Sequence, residues 1–229
     1  MIDLSQKLKE IENQIERALW DLELHDELNK ALEVYRGAEA KLEVLGITID
    51  NPAYREQQRV LSYCLMRQGN ILRQREKPEE ALVLSERELT TAHNSGDEIT
   101  LARSLMSIGT NLIVNREIER GLKLLEEARE LFERGDKPDH KQGLGWYWIL
   151  QADLANANLV EIGAGEVIEI ATRAVDILKP IENWPGLARS YAARAKAYER
   201  LGDEEKAGKD RQEQKVSESK IDPGEKEAG

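Results

Sequence analysis

Apolar positions recur along most of this chain with the period of an amphipathic helix. Leu61, Leu65 and Leu72 fall on one stripe of a predicted helix, and Leu82 and Leu89 fall on one stripe of the next. Helix-forming residue types dominate the chain and strand formers are few, so we expect an all-α fold without a large sheet. The pattern predicts five helix pairs, at 4–24 with 27–45, 52–75 with 78–94, 98–115 with 118–134, 142–161 with 165–179, and 186–201 with 204–216.

A pair of small residues repeats at a fixed spacing within these helix pairs. Gly69 and Ala81 are 12 residues apart, as are Gly109 and Gly121, which follow 40 residues later. The same spacing of 12 separates three further pairs: Ala195 with Ala207, Leu19 with Ala31, and Ala155 with Val167. Small residues let two antiparallel helices approach closely where they cross, and one hairpin needs neighbours to cover its faces. The spacing therefore predicts a solenoid of stacked helical hairpins.

The last repeat resembles the tetratricopeptide repeat. Its residues Tyr191, Ala195, Tyr198 and Ala207 match the aromatic, small, Tyr and Ala positions of the pattern W-x2-L-G-x2-Y…A-x3-F. Two positions depart from that pattern, namely Arg194 and Arg211. The resemblance covers residues 4–212 and is closest to the long repeats of about 40 residues. It implies a right-handed superhelical solenoid of about five antiparallel hairpins.

The C-terminal end differs in composition from the repeats. After Ala207, the only aliphatic side chains larger than Ala are Val216 and Ile221, and the segment ends in a polar stretch with Pro223 and Gly224. We therefore expect a repeat domain at 1–216 and a disordered tail at 217–229.

Charge and cysteine content restrict the classes of protein to which this chain can belong. The 33 Lys and Arg residues against 44 Asp and Glu residues leave a formal charge of −11, which argues against a binder of nucleic acid or anionic membranes. We find no apolar run long enough to span a bilayer and no leader pattern at Met1. The single cysteine, Cys64, excludes an internal disulfide, and we expect a buried, inert thiol in a cytoplasmic protein.

The sequence contains no recognisable catalytic or metal-binding motif. P-loop and H-E-x-x-H patterns are absent, and Gly143-Leu144-Gly145 and Gly163-Ala164-Gly165 lack the third glycine of a dinucleotide loop, so we interpret them as turn and helix-end glycines. His25, His93 and His140 belong to different repeats, which does not fit a metal site. We therefore expect a non-enzymatic protein without cofactor or metal.

The resemblance also implies a partner-binding groove along the first helices. Its positions in this chain are Met66, Asn70 and Arg73, then Met106, Thr110 and Ile113, then Ala192, Lys196 and Glu199, with Tyr63, Arg103 and Arg189 near the helix starts. The fourth repeat is uncertain by one residue, so its candidates are Asp153, Asn156 and Asn158. The alternative is that these are ordinary solvated helix positions.

The cations among these positions suggest the kind of partner. Arg73, Arg103, Arg189 and Lys196 would form a positive strip in an acidic molecule and favour an acidic or C-terminal peptide. Binding of chaperone tails is not expected, because Met66 stands where the carboxylate clamp of that subfamily has lysine.

Aromatic residues offer a second candidate surface. Trp146, Tyr147 and Trp148 are consecutive, so one helix face cannot hide all three. Trp184 lies in the connector just before the neighbouring first helix, and 145–148 should lie near 184–187. Trp146 or Trp148 together with Trp184 would form an exposed hot spot. The alternative is that Trp184 seals the core of the fourth repeat.

These patterns favour a protein–protein interaction scaffold that binds a peptide or protein segment in the groove. Two alternatives remain open at this stage. One is a sensor or regulatory module that controls a separate effector, and the other is a structural protein that self-associates through its terminal hairpins into a homo-oligomer.

Overall fold

The computed structural model describes residues 4–221. Over this range the chain forms α-helices and short turns, without any strand. The helices are α1 Leu4–Asp21, α2 Leu28–Val44, α3 Tyr54–Gln74, α4 Pro78–Ser95, α5 Glu98–Val114, α6 Ile118–Glu133, α7 Pro138–Asn156, α8 Ala164–Leu178, α9 Trp184–Arg200 and α10 Glu204–Ile221. The expected all-α fold and the five successive helix pairs are confirmed.

Two helices differ clearly from their expected bounds. Helix α7 begins at Pro138, because proline suits the first turn of a helix, and it ends at Asn156 rather than near 161. Helix α10 continues to Ile221, so five residues assigned to the tail are helical. The reason is local packing: Ser217 is buried and the Lys220 ammonium lies 3.6 Å from the centre of the Trp184 ring. The rest of the expected tail, 222–229, lies outside the described residues.

All five hairpins turn in the same way. The turn between the two helices of each pair contains one residue with positive φ: Asp26, Glu76, Arg116, Asn158 and Gly202. In each case the next residue donates its backbone N–H to the carbonyl five positions earlier, over 2.8–3.0 Å; examples are Lys77 to Leu72 and Glu117 to Leu112. This pattern is that of a Schellman-type helix end. The repeat is therefore visible in backbone geometry as well as in side-chain spacing.

The helices form two compact units, one ending at Ala128 and the other beginning at Arg129 within α6. In the first unit, α3 packs against α4 and α5, and α4 packs against α5. Its core joins α1, α2 and α3 through buried side chains such as Ile15, Tyr35 and Leu65. In the second unit, α7 packs against α8 and α9, and α9 packs against α10. Its core includes Ile149, Leu178 and Leu187.

The small residues lie where helices cross, but the space around them differs from one hairpin to the next. A methyl group added to Gly121 would lie 2.5 Å from the Gly109 carbonyl oxygen, and one added to Gly109 would lie 2.9 Å from that of Gly121. At Gly69 the nearest atom would be the Ala81 carbonyl oxygen, at 3.9 Å. Close helix approach therefore requires glycine in the third hairpin, whereas the second has room for alanine.

The expected role of the paired glycines of α7 was wrong. Gly143 and Gly145 lie inside the helix rather than at a turn. A methyl group at Gly143 would collide with the ring of Phe132, and one at Gly145 would collide with Leu178. They allow close packing on both sides of α7. Gly163, by contrast, is the residue that precedes α8, as a helix-end glycine should be.

Candidate functional site

The first helices of consecutive hairpins are neighbours within each unit. In the first unit α3 contacts α5, and in the second α7 contacts α9. We call the adjoining surfaces the α3–α5 face and the α7–α9 face. The first carries seven predicted groove residues, namely Tyr63, Met66, Asn70, Arg73, Arg103, Met106 and Thr110. Thr110 is buried and donates its hydroxyl to the Met106 carbonyl at 2.7 Å, while the others are half-buried.

Tyr63 lies among charged groups from three helices. Burial raises the pKa of its phenol, and the charges of Arg67, Glu16 and Arg103 act on that pKa in alternating directions. Glu16 belongs to α1 and Arg103 to α5, so charges from two neighbouring first helices act on this phenol. A half-buried tyrosine in such a place can offer both a ring face and a hydroxyl.

Arg73 contacts side-chain amides of α3 and α5 on the α3–α5 face. Its guanidinium donates to the Asn70 side-chain oxygen at 2.8 Å and to the Asn111 side-chain oxygen at 3.4 Å. Asn111 in turn donates to the Ala81 carbonyl at 3.2 Å, which ties α5 to α4. These two amide oxygens help to position the guanidinium.

Other arginines of α3 are engaged by acids of the first hairpin. Arg67 pairs with the buried Glu23, which also accepts a hydrogen bond of 2.7 Å from the Tyr35 hydroxyl. Arg59 pairs with Glu12 at 2.6 Å. Burial, and then the charge of Glu23, raise the pKa of Tyr35. The Arg67–Glu23 pair holds the turn after α1 against α3, and the Arg59–Glu12 pair joins α1 itself to α3. The sequence did not reveal these roles.

Glu88 was not among the candidates, yet it is the most unusual acid of the unit. Glu88 is 1% exposed, and its Oε2 atom has no hydrogen-bond partner. Burial raises the pKa of its carboxyl well above the ordinary value, and the Ser107 hydroxyl and the Arg73 charge lower it. The signal in the sequence was its place seven residues after Ala81, on the buried stripe of α4.

Some predicted residues of the α7–α9 face already bind other groups of the protein. Arg189 donates to the Asp153 carboxylate at 2.7 Å, so the two charges offset each other. The buried amide of Asn156 donates to the Ala193 carbonyl at 2.9 Å, which joins α7 to α9. Lys196 is exposed on α9, and Asn158 lies beyond the end of α7 with a positive φ.

The three candidate tryptophans all contribute to the core of the second unit. Trp146, Trp148 and Trp184 are half-buried and pack against a cluster that includes Leu178 and Leu187. The Arg173 guanidinium lies 5.1 Å from the Trp148 ring centre, and Lys220 covers Trp184. These contacts favour the alternative in which Trp184 helps to seal the fourth repeat.

The described part of the chain shows little that suggests chemistry. Residues 4–221 contain no group of three His, Cys, Asp or Glu side chains that could hold a metal ion, and none of their helices is long and apolar enough to cross a membrane. Cys64 is buried and donates its thiol to the Tyr35 carbonyl at 3.1 Å, and burial raises its pKa to about 12. The thiol is therefore protonated at neutral pH.

Comparison with known proteins gives a match in fold. No protein-family model matches the chain, and no curated protein matches it. Among solved structures, BtubC (BKLC) from P. vanneervenii has a TM-score of 0.56 at 15% identity, over 100% of this chain and 96% of its own. RapI in its apo form has a TM-score of 0.54 at 14% identity, over 97% of this chain and 86% of its own. The chain has a tetratricopeptide-like repeat fold.

A third structure carries repeats of the same description. It is a Podosopora anserina protein described as a kinesin light chain with nearly identical TPR-like repeats, with a TM-score of 0.48 at 14% identity over 98% of this chain and 100% of its own. At sequence identities of 14–15%, structural similarity to these proteins establishes the fold alone.

Proposed function

We propose that this chain is a non-enzymatic interaction scaffold that binds a peptide or protein segment against the first helices of its hairpins. The observation that most directly supports this proposal is the position of Met66 and Met106. They occupy equivalent positions 40 residues apart, lie on the adjacent helices α3 and α5, and remain half-buried after the core is packed. Unbranched methionine side chains adapt to different partners, and a pre-formed helical surface loses little conformational entropy on binding.

The polar groups beside these methionines suit a partner that carries carboxylates. Arg73 is oriented by two amide oxygens, and Arg103 lies close enough to Tyr63 for its charge to act on that phenol. On the α7–α9 face, Lys196 adds an exposed ammonium. Carboxylates of an acidic or C-terminal segment form charge-assisted hydrogen bonds with such cations. We further propose a cytoplasmic location, which suits a lone reduced thiol.

Site-specific photo-crosslinking tests this proposal. A benzoylphenylalanine replaces Met66 or Met106 in turn, and matched controls carry it at Val83 or Leu122, which are exposed on the second helices α4 and α6. After irradiation in a native extract, we expect one shared crosslinked partner from the first two positions and none of it from the controls. Equal crosslinking from all four positions would remove the α3–α5 face as the binding surface.

Charge reversal provides the second test. Arg103→Glu and Arg189→Glu probe the two faces separately, and Lys123→Glu on the exposed side of α6 is the control for net charge. We expect weaker capture of the partner by at least one of the two groove variants and unchanged capture by the control. Unchanged capture by both groove variants contradicts the proposal.

A second candidate function, self-association, is favoured by one observation. Val44, the last residue of α2, is 85% exposed, and Ile49, in the connector between α2 and α3, is 76% exposed. Apolar side chains this exposed are common at contacts between copies. Light scattering over a range of concentrations should show an oligomer that the double variant Val44→Ser, Ile49→Ser does not form. A monomer at all concentrations removes this candidate.

A further inference from the structure

The last hairpin is held together by charged groups more than by apolar packing. Among the described residues of α10, the buried side chains are Ala207, Asp210 and Ser217. In the preceding hairpin, by contrast, the six buried side chains of the second helix α8 are all apolar. Because burial of apolar surface is the main source of stability, α10 gains less stability from its neighbours than α8 does.

The two positions that depart from the tetratricopeptide pattern supply the charged contacts. Arg194 donates from Nε and from Nη2 to the two carboxylate oxygens of Asp210, at 2.8 Å each, and both side chains are largely buried. Arg211 pairs with Glu199 at 3.0 Å, and this second pair is exposed. The pattern has an apolar residue at both arginine positions, so ion pairs replace apolar contacts between α9 and α10.

Arg194 is also held by groups outside α10. Its Nη1 atom donates to the Thr172 hydroxyl of α8 at 3.0 Å, and that hydroxyl donates to the Ile168 carbonyl at 2.8 Å. The guanidinium also lies over the Tyr191 ring of α9, 5.5 Å from its centre. Neither contact involves α10, so both remain when α10 moves away, and they keep the guanidinium in place.

We propose that α10 is a displaceable helix and that the surface of α9 beneath it binds a helical segment of a partner protein, which presents a carboxylate to Arg194. The inference goes beyond the proposed function, because it concerns the side of α9 that α10 covers and needs nothing from the α3–α5 face. A helix with few buried apolar contacts opens at a lower free energy than the rest of its domain. Opening frees a guanidinium that Thr172 still orients, and the partner's carboxylate then forms the same bidentate pair.

The chemistry of the partner segment follows from α10, which occupies the same surface. Its buried side chains are Ala207, Asp210 and Ser217, and the Lys220 ammonium lies 3.6 Å from the centre of the Trp184 ring. Spacings of three, seven and three residues place these four side chains on one side of a helix. The partner segment therefore carries two small residues, an acid three residues after the first, and a cation three residues after the second.

Hydrogen exchange of the full chain tests whether α10 is displaceable. Asp210→Asn keeps the size of the side chain but removes the charge that Arg194 binds, and Glu205→Gln, which loses an exposed pair with Lys209, is the matched control. We expect the backbone amides of α10 to exchange at least about tenfold faster in Asp210→Asn, because a buried charge loses its partner. Exchange in α8 should stay unchanged, and the control should behave like the wild type. No acceleration in Asp210→Asn, or equal acceleration of α8 and α10, overturns the inference.

A synthetic peptide of residues 203–221 tests the uncovered surface. Its binding to the full-length wild type, Asp210→Asn and Arg194→Gln is measured by fluorescence anisotropy, and the control peptide carries asparagine in place of Asp210. We expect Asp210→Asn to bind the peptide at least about tenfold more tightly than the wild type does, because its own α10 no longer pairs with Arg194. The control peptide should lose this gain, and Arg194→Gln should bind both peptides alike. Equal binding of the two peptides by Asp210→Asn overturns the inference, even where Arg194→Gln does not fold.

The oligomeric state distinguishes a separate partner from a second copy. Two molecules that exchange α10 would each offer the other the same helix. We expect light scattering to show the same oligomeric state for Asp210→Asn as for the wild type. A new dimer that the peptide dissociates would overturn the assignment to a separate partner. None of these outcomes bears on crosslinking at Met66 and Met106, so this inference and the proposed function fail separately.

Discussion

Burial sets the reactivity of Cys64, the only thiol of the chain. With a pKa raised to about 12 by burial, only about one molecule in ten thousand carries a thiolate at pH 8. We expect native protein to resist a thiol reagent such as dithionitrobenzoate for as long as it stays folded, and to react fully in denaturant. Rapid reaction of the folded protein would contradict the buried position of Cys64.

Burial of Glu88 also makes the stability of the fold depend on pH. Its native pKa lies above the ordinary value of 4.5, so the folded state holds a proton that the unfolded state has released. Stability contributed by this group is complete below about pH 4.5 and is lost as the pH rises toward the native pKa. We expect Glu88→Gln to gain stability relative to the wild type over that range, measured by urea unfolding at several pH values.

The control for this prediction is Glu86→Gln, which removes an exposed acid from the same helix. Its stability relative to the wild type should stay nearly constant with pH, because surface charges contribute little. A parallel response of the two variants would show that the effect is not specific to the buried carboxyl.

Sequence reasoning located residues better than it located their partners. Spacing placed Met66 and Met106 on neighbouring helices, since periodicity fixes the face of a helix. Spacing did not predict that Arg189 pairs with Asp153, or that the amide of Asn156 donates to the Ala193 backbone carbonyl. Those contacts depend on side-chain conformations across two helices, which no pattern within one helix determines.

At the scale of helices and turns, the positive-φ residues of the hairpins are open to test. Glu76 and Arg116 adopt a conformation that costs an L-residue about 1–2 kcal/mol relative to glycine. We expect Glu76→Gly and Arg116→Gly to raise the free energy of unfolding by about 1 kcal/mol, measured by urea denaturation. Gly202→Ala, at the equivalent turn of the last hairpin, should lower it, and the opposite signs would contradict the shared turn geometry.

The helix crossings give a second test at this scale. Gly121→Ala should destabilise the protein by about 1–3 kcal/mol, because the new methyl group would meet the Gly109 carbonyl oxygen at 2.5 Å. Gly69→Ala, at the helix crossing of the preceding hairpin, should instead be neutral or stabilising by up to about 1 kcal/mol. Thermal unfolding monitored by circular dichroism distinguishes the two, and equal effects would contradict the difference in helix approach.

Helix pairs were predictable because their signals are local. Proline at position 78 and the N-cap Asp97, which accepts the Thr100 N–H at 2.7 Å, mark helix starts in the sequence itself. The turns at Glu76 and Arg116 carry no such signal, because neither residue type favours positive φ. The extension of α10 was missed for a similar reason, since it depends on the contact of Lys220 with a distant tryptophan.

At the scale of the whole chain, we propose that a partner binds where first helices adjoin. The repeat period predicted the fold, because stacked hairpins follow from self-similarity, and the structural likeness to BtubC confirms it. The period cannot predict the partner, since recognition depends on side chains that the repeats do not share.

Methyl NMR of labelled methionine tests that claim most directly. The chain has three methionines, of which Met66 and Met106 lie on the α3–α5 face and Met1 is not among the predicted groove residues. When the partner identified by crosslinking is added to saturation, we predict that the methyl signals of Met66 and Met106 shift together and that this shift is reduced in Arg73→Gln. Unchanged signals from both methionines with the partner fully bound would contradict the account.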